Sequence, residues 1–160
     1  EKGKGSTFYV TIPYKPVQIE SERVSMDSSD NSLSEKSYTV LVAEDEEVNY
    51  MYLEVLFEDE IEGNYNLIHA KNGQEAVEIC ITNNTIDLVL MDIKMPIMNG
   101  HEAAIKIKEK YPNLPVIAQT AYSTEADKQL ALKHGCNDFI SKPIKKEKLF
   151  ELISKHLITK

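Results

Sequence analysis

Cysteine is scarce in this 160-residue chain: Cys80 and Cys136 stand alone, without CxxC or Cys/His spacing. That argues against a disulfide scaffold or a zinc site and suits small buried thiols in a reducing, cytosolic compartment. No apolar run approaches the roughly 18 residues of a membrane span, and no secretory h-region is present, so no membrane attachment is expected of this piece. Positive charge is outweighed, the formal charge being −8. That argues against sequence-blind attachment to nucleic acid, whose phosphates reward clusters of Lys and Arg. Glycine is missing where a dinucleotide fold needs it: the first strand runs into AEDEE, which cannot approach a pyrophosphate as G-x-G-x-x-G does.

What is present begins with EKGKGSTFYVTIP. The GKGST piece is a poor P-loop, because no strand precedes it and the following TFYVTI reads as a strand, where a P-loop requires a helix. Residues 14 to 37 carry seven serines, many charges and no hydrophobic period, the composition of a flexible linker. From Tyr38 the pattern changes. TVLVA is a continuous apolar run, as expected of a strand covered on both faces. Val48, Tyr52, Val55 and Leu56 then recur at helical spacing, which predicts an amphipathic helix from about Glu47 to Glu58.

The alternation repeats. Strands are predicted at 66 to 70, 88 to 91, 116 to 119 and 138 to 141, and helices at 73 to 81, 100 to 110 and 124 to 134. A closing amphipathic helix is marked by Leu149, Leu152, Ile153 and Leu157. Five strands alternating with five helices imply right-handed crossovers and a doubly wound parallel α/β sheet, helices on both faces, over 38 to 160. Ligands of such sheets bind beyond the carboxyl ends of the strands.

Those ends carry Glu44 and Asp45 after the first strand, Asp92 at the third, Thr120 after the fourth and Lys142 after the fifth. An acid or Thr after a strand is also an ordinary helix cap, and for Asp45 alone the two readings stand about even. Together, three carboxylates at one sheet edge repel one another and call for a cation. Oxygen ligands without His or Cys favour a hard ion, Mg²⁺ in particular, with a phosphate as the natural second ligand. Lys142 supplies a charge and Thr120 a hydroxyl for its oxygens, leaving Asp92 free to act as nucleophile on phosphorus.

The set VLVAEDEEVN (40 to 49), NGQEAV (72 to 77), VLMDIKMPIMNG (89 to 100), the TA of QTAY (119 to 122) and FISKP (139 to 143) resembles the receiver domains of two-component signalling. The resemblance covers 38 to 160. It implies a flavodoxin-like sheet of order 2-1-3-4-5. It also implies Asp92 as acceptor from a phosphohistidine, and Mg²⁺ (Mn²⁺ as substitute) on Asp45, Asp92 and the Lys94 carbonyl, with Glu44 helping through water. Thr120 and Lys142 would clasp the phosphoryl oxygens. Thr120 and Phe139 would form the switch, Phe139 having plain core packing as its alternative role. Lys94 and Tyr122 would tune the phosphoryl lifetime, and the Lys142–Pro143 bond is expected to be cis. A haloacid-dehalogenase-like phosphatase is disfavoured, because Asp92-Ile93-Lys94 lacks the second acid of its D-x-D.

Two details depart from the usual family pattern: Glu44 where many members have Asp, and Asn99 before Gly100. The opening stretch resembles the last glycine box and final strand of a histidine kinase ATP-binding domain, matched by Gly3, Gly5, Ser6, Thr7, Phe8 and Pro13. The order of kinase tail (1 to 13), linker (14 to 37) and receiver is that of a hybrid histidine kinase, with a free-standing response regulator as the alternative. Expected partners are a phosphohistidine donor in the kinase dimerisation domain and a histidine phosphotransfer protein or downstream regulator. Weak self-association is also conceivable, and no DNA-binding effector is expected after the last helix.

Overall fold

The computed structural model describes residues 36–61, 63–121 and 124–158, which belong to one unit, Leu33–Lys160. The kinase-like stretch, nearly all of the linker and Tyr122 lie outside the described residues. Five parallel strands, β1 (Ser37–Ala43), β2 (Asn64–Ala70), β3 (Leu88–Asp92), β4 (Val116–Thr120) and β5 (Asp138–Ser141), form one sheet of order β2-β1-β3-β4-β5. The fold is the doubly wound, flavodoxin-like one expected from the strand and helix alternation.

The central strands are buried on both faces, which is why they read as continuous apolar runs. On one face Val40, Val42, Leu88, Leu90, Ile117 and Ile140 pack against α1 (Glu47–Val55) and α5 (Lys146–Ile153), each of which runs on into a wider π-type turn, Leu56–Glu60 and Ser154–Ile158. On the other face Leu41, Val89, Met91, Val116 and Ala118 meet Ala76 and Val77 of α2 (Gly73–Thr82), Ala103 and Ile107 of α3 (Gly100–Lys110) and Ala131 of α4 (Glu125–Lys133). Small residues on α2, α3 and α4 let these helices lie close to the sheet and to one another.

One expectation is corrected. Val48, Tyr52 and Val55 do not face the core of α1; they are 77%, 46% and 51% exposed. The buried face is Tyr50 and Leu53, continued by Leu56 and Phe57. The helix carries apolar side chains on two sides, and periodicity alone follows whichever stripe is denser. Among the described residues no helix is long and apolar enough to cross a membrane.

Candidate functional site

Strand ends at the carboxyl edge deliver the polar residues to one cleft. β1 ends at Ala43, and Glu44 N–H donates to the Ala70 carbonyl at 3.0 Å, so β1 and β2 stay paired one residue further and the Glu44 side chain is fully buried. Asp45, next along, is exposed. β3 ends on Asp92, 7% exposed. Ligand oxygens of Glu44, Asp45 and Asp92 lie within 4.8 Å of one another. A cleft of about 410 Å³ opens over them, lined also by Lys94, Thr120, Phe139 and Lys142.

Buried carboxylates at this spacing need positive charge. Lys142 supplies part of it: its Nζ donates to Glu44 Oε2 at 2.7 Å and to Asp92 Oδ2 at 2.5 Å. Burial works against the ammonium, but the hydrogen bonds and charges of Asp92 and Glu44 outweigh it and its pKa is raised. The Lys94 N–H donates to Asp92 Oδ1 at 3.1 Å, so both oxygens of that carboxylate are oriented. Lys142 directly follows β5, the Lys142–Pro143 bond is cis, as expected, and the Lys142 N–H donates to the Thr120 carbonyl at 2.8 Å. An all-oxygen donor set holding an ammonium between two of its members fits a hard divalent cation.

Backbone approach sets the cleft's floor. Gly100, first residue of α3, donates its N–H to the Ile93 carbonyl at 3.0 Å, and a Cβ there would lie 2.1 Å from the Asp92 carbonyl oxygen. Asn99 caps α3 by accepting from Glu102 N–H at 3.0 Å, and Asn72 caps α2 by accepting from Glu75 N–H at 2.9 Å. Asn99 therefore does locally what an Asp would do, without adding a charge.

Of the described candidates, Asp45, Asp92, Lys94, Thr120, Phe139 and Lys142 line this cleft, and Glu44, fully buried, joins Asp45 and Asp92 in the acidic cluster; Tyr122 is outside the described residues. Phe139 is half-buried at the edge of the second core cluster, lines the cleft, and carries the Lys128 ammonium 4.9 Å from its ring centroid. Four polar residues were missed. Asn49 donates to Glu44 Oε1 at 2.9 Å and to Glu46 at 3.1 Å; its place one helical turn after the acids was the available signal. His69 holds the Glu44 carbonyl through a ring nitrogen at 2.8 Å and stacks on Tyr50. His101 lines the cleft, and its ring meets that of His134, centroids 4.7 Å apart. These two histidines are far apart in sequence, and only the packing of α3 beside α4 joins them.

Comparison with known proteins agrees with this construction. Residues 40–154 match the response regulator receiver domain family, and the chain belongs to it. Hybrid signal transduction histidine kinase B of Dictyostelium discoideum is 39% identical over 138 residues, a match covering 78% of this chain and 7% of that protein. The receiver domain of the Pseudomonas aeruginosa sensor histidine kinase PA1611, solved with a magnesium ion coordinated in its active-site cleft, superposes with a TM-score of 0.69 at 26% identity. That match covers 78% of this chain and 100% of the other. The receiver domain of the Saccharomyces cerevisiae response regulator Ssk1, solved with the histidine phosphotransfer protein Ypd1, gives 0.67 at 30% identity, covering 76% of this chain and 90% of the other.

Proposed function

We propose that this domain accepts a phosphoryl group on Asp92 from a phosphohistidine and holds or relays it, as the receiver end of a hybrid histidine kinase. The observation that carries this is the Asp92 carboxylate, buried at the end of β3, held by Lys142 and grouped with Glu44 and Asp45. In the transfer, an Asp92 oxygen forms the new bond to phosphorus while the phosphorus–nitrogen bond of the donor breaks. The donor imidazole, protonated at its other nitrogen, leaves neutral. In discharge by hydrolysis water attacks phosphorus, the Asp92 oxygen departs as carboxylate, and inorganic phosphate is released.

Asp45, Asp92 and the Lys94 carbonyl would hold Mg²⁺ directly, with Glu44 acting through water. When bound, Mg²⁺ neutralises charge on the phosphoryl oxygens. Lys142 and the Thr120 hydroxyl clasp those oxygens, and movement of Thr120 and Phe139 shifts the surface around α4, β5 and α5 between two existing conformations. Lys94 and Tyr122 flank the path of the attacking water. The kinase-like stretch 1 to 13, the linker 14 to 37 and the relationship to hybrid kinases favour a hybrid parent acting on the cytoplasmic side over a free-standing regulator.

The donor's contact surface is also supported from the geometry. Val48, Met51 and Val55 make an exposed apolar stripe on α1 that begins beside the cleft-lining Glu46 and Asn49, and Ile97, 83% exposed, stands on the loop after Asp92. An apolar helix face beside a reactive carboxylate suits docking of a phosphohistidine donor, and the yeast receiver is seen with a histidine phosphotransfer protein.

The test is incubation with acetyl phosphate and Mg²⁺, read as the mass gain of one phosphoryl group. Wild type should label and Asp92→Asn should not. Equal labelling of Asp92→Asn would refute the assignment.

A further inference from the structure

Gln119 is the residue before Thr120 on β4, in register with Asp92 on β3 and Ile140 on β5. Strand alternation sends its side chain to the same face as Ile117, toward α1 and α5. It is fully buried, and neither atom of its amide has a hydrogen-bond partner among the described residues. A leucine of similar volume would fill that space without leaving polar atoms unpaired, so the amide calls for a reason.

A cavity of about 100 Å³ lies against it, lined by Asn49, Tyr52, Gln119, Lys142, Pro143 and Ile144. Tyr52 closes one wall by donating its hydroxyl to the Ile144 carbonyl at 2.9 Å. The lining is mainly apolar, but Asn49, Gln119 and Lys142 bring polar groups to it and the space is roomy enough for an ordered water. Lys142 has three N–H donors. Two go to Glu44 and Asp92, and no bond for the third is found among the described residues.

We infer that Gln119 is a positioning residue for Lys142: its amide, through one water in this cavity, takes the ammonium's third hydrogen and fixes how far Lys142 reaches toward a phosphoryl group on Asp92. A metal ion held by Asp92 would compete with Lys142 for that carboxylate, whereas the tether on the Gln119 side would be untouched by that competition. The inference deepens the proposed function and rests on it only for the kinetic consequence; the tether itself is a property of the resting protein.

Two readouts separate these. In Gln119→Leu the melting temperature should equal or exceed that of wild type, and the Mg²⁺-induced melting shift should be unchanged. The maximal rate of labelling by acetyl phosphate should fall about 10-fold with half-saturation unaltered, the mark of a group that acts in the transition state. Gln119→Asn, which keeps the amide, should restore at least half the rate. In ¹H–¹⁵N spectra the Lys142 ammonium signal, protected from exchange in wild type, should be lost in Gln119→Leu and return in Gln119→Asn. Wild-type labelling and an unchanged ammonium signal in Gln119→Leu would overturn the inference while leaving the function standing. If Gln119→Leu and Gln119→Met both lose melting temperature and labelling in parallel, Gln119 is structural and the inference also falls. Failure of wild type to label at Asp92 would instead overturn the proposed function, with the ammonium signal still deciding the tether.

Discussion

Gly100 is where the end of β3 and the start of α3 come closest, and a methyl group there would meet the Asp92 carbonyl at 2.1 Å. The backbone on that side belongs to the proposed acceptor, so it cannot yield without moving Asp92. Gly100→Ala is expected to lower unfolding stability by about 3 kcal/mol, the upper end for overpacking, read by urea titration. Ile97 in the same loop shows the opposite sign. It adopts φ 67, a left-handed conformation that costs a β-branched residue about 1–2 kcal/mol, while its side chain is 83% exposed. Ile97→Gly should raise the urea midpoint by the equivalent of about 1 kcal/mol. If Ile97 contributes to donor docking, the same variant should slow transfer from a phosphohistidine donor and leave acetyl phosphate labelling alone. Sequence reading finds Asp92 and Gly100 because their motif is compact. It passes over Ile97 and Gln119, whose significance lies in a backbone angle and in burial.

At the level of elements, strands were legible and helix faces less so. A strand covered on both sides has one pattern, an uninterrupted apolar run, whereas α1 offers two apolar stripes and only the fold says which is inside. The exposed stripe gives a clean prediction: Val48→Asp with Met51→Glu should cut transfer from a phosphohistidine donor by at least about 10-fold with acetyl phosphate labelling and melting temperature nearly unchanged. The weakly anchored element is α4, whose only buried residue is Ala131 and which meets α3 through His134 on His101. Burial, then the neighbouring His134, lowers the pKa of His101 below its ordinary 6.5, with Asp127 opposing. A pKa depressed on folding means the unfolded chain binds the proton more tightly. The stability is therefore fully present above about 6.5 and is lost as pH falls through the folded value. Wild-type melting temperature should drop across that acid window, and His101→Leu should flatten the drop. An identical pH profile for the variant would remove His101 from the explanation.

At the scale of the whole molecule, parallel pairing gathers Glu44, Asp92, Thr120 and Lys142 from four strands whose ends are spread along almost the whole domain. Each of these residues was readable because it stands at or just past the carboxyl end of a strand. Their supports, Asn49, His69 and Gln119, were not, because their partners are set by tertiary packing. The gathered acids should make the fold sensitive to cations. Mg²⁺ at ten times its dissociation constant should stabilise by about 1.4 kcal/mol, a rise of a few degrees in melting temperature, and Asp45→Asn should abolish most of it. Without metal, Asp45→Asn should melt no lower than wild type, because it removes a repelling charge.

The most direct test locates the phosphoryl group chemically. An acyl phosphate is reduced by borohydride to an alcohol, so a phosphorylated aspartate becomes homoserine. After treatment with acetyl phosphate and Mg²⁺, reduction and peptide mass spectrometry, homoserine is expected at position 92 and nowhere else, and not when the metal is chelated. Homoserine at another acidic residue, or a stable phosphoryl group with no homoserine at position 92, would contradict Asp92 as the acceptor.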